Sequence, residues 1–126
     1  VEINTGKIIT ADAPNYTSRD LISCAPGSSQ SIDTTFDGIL YLTWNGGAGT
    51  FNINLPDASL AINYYRKFMF ILNGTFDQTA TRDVVLTPFS GQQINGVATY
   101  TIPQAEFNVV EIWNAGGQWI IISKIT

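Results

Sequence analysis

From Ile32 onward, short runs of β-branched, aliphatic and aromatic residues are separated by Gly, Pro, Asn and Asp. They recur at roughly the 8–12-residue spacing of sandwiches and barrels. Branched and aromatic side chains fit a pleated surface, and Gly supplies the backbone freedom that tight turns need. The expectation is an all-β fold: an antiparallel β-sandwich or jelly-roll-like barrel of about 8–10 strands. Residues 57–63 are the one stretch where a short helix competes with a loop. The chain divides into an arm or linker over residues 1–30, packed on a compact β domain over residues 31–126.

Within that domain the turn chemistry predicts hairpins. Asp37-Gly38, between Ser31 to Phe36 and Ile39 to Trp44, favours a type I′ turn, as does Asn73-Gly74 after Tyr64 to Leu72. Residues 45–49 form a glycine-rich loop. Phe51, Ile53 and Leu55 alternate with Asn52 and Asn54 as a half-exposed strand, which Pro56 ends for want of an N–H. Thr75 to Thr81, Asp83 to Thr87 and Val97 to Ile102 read as shorter strands. A last hairpin spans residues 107–125 around Asn114-Ala115-Gly116-Gly117, with apolar groups on both faces of both arms. A half-solvated strand would show one polar face. Val110, Ile112, Ile120 and Ile122 are therefore candidates for an oligomer interface.

Charge narrows the partners. Net charge is −4 and Arg66-Lys67 is the only adjacent basic pair, whereas a phosphate backbone calls for clustered Lys and Arg. Neither nucleic acid nor an anionic membrane surface is expected, and no apolar run approaches the ~20 residues of a spanning helix. The chain opens at Val1 with no Met and no signal-peptide pattern, as a processed product or excised piece would.

The chemistry of catalysis is thin. The sequence holds no His, so Cys24, the single cysteine, has no imidazole base and reads as a half-buried small hydrophobe. No Asp-rich loop has calcium-binding spacing, and the loop at residues 46–49 lacks the Lys-Ser/Thr of a phosphate-binding loop. No metal, cofactor or catalytic residue is expected. Asn15-Tyr16-Thr17 and Asn73-Gly74-Thr75 fit the glycosylation sequon, the second being explained equally by turn chemistry. Among the aromatics, Trp44, Tyr41, Tyr64 and Tyr65 are candidates for stacking on a ligand, set against the usual role of aromatics in cores and interfaces. Trp44 stands out because it ends a strand beside a glycine loop.

The order of stations resembles that of β-rich knob or terminal domains of bacteriophage and other viral fibre proteins, including tail-fibre, head-fibre and decoration proteins. The stations are Asn52-Ile53-Asn54-Leu55-Pro56, Phe68 to Gly74, Val84-Val85-Leu86-Thr87-Pro88, Gly91, Ile94-Asn95-Gly96, Tyr100-Thr101-Ile102 and Gly117-Gln118-Trp119-Ile120-Ile121-Ile122. The resemblance covers about residues 50–126. Asn114-Ala115-Gly116-Gly117 departs from it, since such chains often carry Ser-Asp-Gly before the Trp. What the resemblance implies is a homotrimer on the outer surface of a virion, serving structure or host attachment. Its partners would be its own copies, and a host-surface glycan or protein or another capsid protein. A carbohydrate-binding module is the second reading, and a glycoside hydrolase built on acidic residues the third.

Overall fold

The computed structural model describes residues 20–33, 36 and 38–125. It is an all-β sandwich, with nine strands among the described residues: β1 (Asp20–Cys24), β2 (Ser29–Ser31), β3 (Ile39–Trp44), β4 (Gly49–Asn54), β5 (Lys67–Leu72), β6 (Arg82–Thr87), β7 (Tyr100–Ile102), β8 (Val109–Asn114) and β9 (Trp119–Ile125). One sheet has five strands in the order β1-β3-β5-β8-β9, and the other has four in the order β2-β4-β6-β7. Two short 3-10 turns, Ala61–Asn63 and Gly74–Phe76, are the helical structure among the described residues.

The strand directions are mixed, where the turn residues predict antiparallel pairing throughout. β1 to β6 alternate between the two sheets, so the chain winds as three coils, and β1-β3-β5 and β2-β4-β6 pair in parallel. Only the last stretch is antiparallel, with β7 against β6, β8 against β5 and β9 against β8. Two expected hairpins accordingly do not exist. Ser31, the first residue of the run before Asp37-Gly38, ends β2 in the four-stranded sheet, while β3 lies in the other sheet between β1 and β5. At Asn73-Gly74 a type I′ turn would need positive φ at both central residues. Asn73 has φ −88°, and its side chain accepts from Thr75 N at 2.9 Å, capping the 3-10 turn. Asn73 thus serves as a cap, and the predicted strand over residues 75–81 is replaced by this turn and its exit.

Residues 20–30 belong to the sandwich, contrary to a domain boundary at residue 31. β1 and β2 are edge strands of the two sheets, and Ile22 and Cys24 are buried in the core. Residues 1–19, which include Asn15, lie outside the described residues.

The core fills the space between the sheets along aligned rows. Leu40, Phe70 and Val110 stand side by side on β3, β5 and β8, and Phe51, Val84 and Ile102 on β4, β6 and β7. Period-2 alternation drives these side chains inward and leaves their neighbours outside. The two outer faces differ sharply. On the four-stranded sheet the rows read Ser29-Asn52-Val85-Thr101 and Ser31-Asn54-Thr87. On the five-stranded sheet one row reads Leu21-Tyr41-Ile71-Val109, and the next includes Ile39-Met69-Glu111. One outer face is therefore polar and the other apolar.

Candidate functional site

The four aromatic candidates do not converge. Trp44 is only 6% exposed; its indole N–H donates to Gly47 O at 2.7 Å and its ring meets Phe76 edge-on at 5.8 Å. It closes the end of the core, so the glycine loop beside it displays nothing for a ligand to stack on. Tyr41 is half-buried in the middle of the apolar outer face. Tyr64 and Tyr65 lie at the end of the sheet opposite Trp44, where Tyr65 stacks on Trp113 with centroids 6.3 Å apart and an interplanar angle of 29°. Tyr64 meets Tyr65 nearly perpendicular, at 70° and 6.3 Å.

The interface candidates divide as well. Val110 and Ile112 point into the core with no exposed surface, so they are unavailable to a second molecule, which corrects their assignment. Ile120 is half-buried on the outer side, level with Trp113, and Ile122 is 39% exposed. Ile112 pairs with Ile121 and Glu111 with Ser123, so Ile122 is the extra residue of a β-bulge. The strict alternation expected along this arm breaks there.

At the end of the sandwich that holds Tyr65, the link over residues 55–66 is tied down by buried polar groups. Asn114, fully buried, accepts from Gly116 N at 2.9 Å and Gly117 N at 3.0 Å; it donates to Ala58 O at 3.0 Å and Asn63 O at 2.6 Å. Asn63 in turn donates to Asp57 O at 2.9 Å. Arg66 reaches Asn63 Oδ1 at 3.2 Å, Asp33 O at 3.3 Å and Phe36 O at 2.8 Å, with its guanidinium 4.7 Å from the centre of the Phe68 ring. Asp57 accepts from Ser59 N, Ser59 Oγ and Gln92 Nε2, and these bonds, the Ser59 ones foremost, hold its carboxyl below the usual range.

A segment so well anchored nevertheless presents Leu60, Ile62, Tyr64 and Tyr65 to solvent, with Phe89 close by. Leu60, Ile62 and Phe89 line a groove of about 370 Å³ together with Leu55, Pro56 and the polar residues Ser31, Asn54 and Asp57. Among the described residues no three His, Cys, Asp or Glu side chains gather as metal ligands would.

No protein-family model matches this chain, and no curated protein does.

The site must therefore be read from its own geometry. Sequence reasoning reached Tyr64 and Tyr65 but missed Trp113, Leu60, Ile62 and Phe89. Trp113 carried a signal, because it shares a strand face with Val109 and Glu111 and so could not be core if Val110 and Ile112 were. Leu60 and Ile62 carried none, since alternate apolar residues in a loop read equally as anchors or as display.

Proposed function

We propose that this chain is a non-catalytic assembly domain of a virion fibre or capsid-associated protein. It forms a homotrimer on the outer surface of the particle and contributes to attachment at the host surface. The observation that carries this reading is the apolar outer face of the five-stranded sheet. Leu21, Tyr41, Ile71 and Val109 cross four strands in one row, flanked by Ile39, Met69 and Ile120. The equivalent face of the other sheet is Ser, Thr and Asn with one Val and one Asp. Soluble monomers rarely leave a contiguous apolar face of this kind in water. Each large side chain that it buries stabilises association by roughly 1.5–3 kcal/mol, so a handful per subunit offset the cost of docking.

The threefold count rests on the resemblance to fibre domains. Light scattering on the purified chain should give three times the chain mass at micromolar concentration; a monomer mass there would refute the assembly.

A further inference from the structure

We propose that the corner formed by Tyr64, Tyr65 and Trp113 is a sugar-binding site whose ligand is a pyranose of a surface glycan. This deepens the attachment part of the preceding reading, and it is tested by ligand binding, whereas assembly is tested by mass.

The backbone supplies the first observation. Tyr65 has φ +64°, in the left-handed region that a bulky side chain adopts only when its surroundings enforce it. The enforcement is visible in Asn114, Asn63 and Arg66, whose hydrogen bonds pin residues 58–66 to the end of the sheet. Yet the ring so placed is 71% exposed. Backbone strain of this kind concentrates where a side chain is held for a ligand.

The geometry of the rings supplies the second. One face of Tyr65 lies along Trp113, which steadies it, and the rest of the ring is open to solvent. Tyr64, 44% exposed and at 70° to it, forms the other wall. A pyranose has a flat face of C–H groups and a perimeter of hydroxyls. Its apolar face fits against one ring of such a corner while the second ring borders its edge. The phenolic hydroxyls both donate and accept, and Lys67, exposed on the strand beside Trp113, adds a donor. Aliphatic side chains would suit an apolar peptide as well as these do; two tyrosines set at an angle beside an ammonium suit a ligand that is apolar on one side and hydroxylated around the rim.

The test is a printed glycan array followed by saturation-transfer NMR with free glucose, galactose, N-acetylglucosamine and sialyllactose. At least one glycan should bind, with transfer from aromatic protons. Tyr65→Gly suits the positive φ, so it keeps the fold, and it should weaken binding by about tenfold or more, roughly 1.4 kcal/mol. Trp113→Ala should act in the same direction, and Val85→Thr, on the polar outer face of the other sheet, should bind as the parent does. The proposal is overturned if no glycan binds the parent, or if Tyr65→Gly binds undiminished. It is equally overturned if Tyr65→Gly lowers the oligomer mass, because the corner would then belong to the assembly face.

Discussion

Asn114 shows how much one buried polar residue can organise. Its amide closes the β8–β9 turn on one side and holds the carbonyls of Ala58 and Asn63 on the other. Removing it strands two N–H donors and two carbonyls, so Asn114→Ala should cost about 3 kcal/mol, read from urea unfolding. The turn itself was legible from its glycines, but the reach of Asn114 to a segment 56 residues away was not, because nothing local encodes a long-range acceptor. The titratable groups predict a simple pH profile. Hydrogen bonds from Thr79 hold the Asp77 carboxyl low, as those from Ser59 do for Asp57. Their folded values lie below the ordinary 3.8, so their stabilisation is complete above that pH and is lost as pH falls through the lower folded values. Burial pushes the Cys24 thiol from 9.0 up to about 12, so stability is intact below pH 9 and is lost as pH climbs towards 12. With no histidine in the chain, unfolding midpoints should stay level between about pH 5 and pH 8 and drop on either side of the range those groups define. A step near neutrality would contradict this assignment.

At the scale of elements, the sequence marks the link between β3 and β4 as a glycine-rich loop, and the reason for its glycines is tertiary. Pro26, in the link from β1 to β2, packs on it, and a Cβ on Gly49 would lie 2.4 Å from Pro26 Cβ at a φ of +156°. Gly49→Ala should therefore destabilise by about 2 kcal/mol or more through strain and clash together. Gly47→Ala has open space and a permitted φ, and should be close to neutral in the same denaturation series. The terminal strand pair formed where the sequence placed it, since Gly116 and Gly117 both take positive φ within four residues. The Asn73-Gly74 pair failed as a hairpin signal because a side-chain cap to Thr75 satisfied the local donors instead. An Asn-Gly dipeptide does not distinguish these outcomes by itself.

For the whole molecule, the asymmetry of the two outer faces yields a matched pair of substitutions. Ile71→Glu, on the apolar outer face, should leave far-ultraviolet circular dichroism and a cooperative melt intact while reducing the mass to that of one chain. Val110→Asp, one position along β8 from Val109 but pointing into the core, should prevent folding, since an unpaired buried charge costs more than about 4 kcal/mol. If Ile71→Glu retains the parent's mass, the subunits do not meet through this face.

By itself the sequence determined that the chain is built of strands, roughly where most of them fall, and which residues alternate on β4 and β8. These follow from nearest-neighbour chemistry: branched side chains, period-2 patterning, and glycines at turns. Only the tertiary structure decided which strands pair and in which direction. The same alternating strand can enter a hairpin or cross to a facing sheet with its apolar side still buried, so hydrophobic patterning leaves the two topologies equivalent. The structure also decided which apolar face of β8 is core, burying Val110 and Ile112 and leaving Val109 and Trp113 outside, and it brought Tyr65 and Trp113 together across 48 residues. That contact depends on where a pinned loop returns to the sheet, which is a property of the packed chain and of no segment within it.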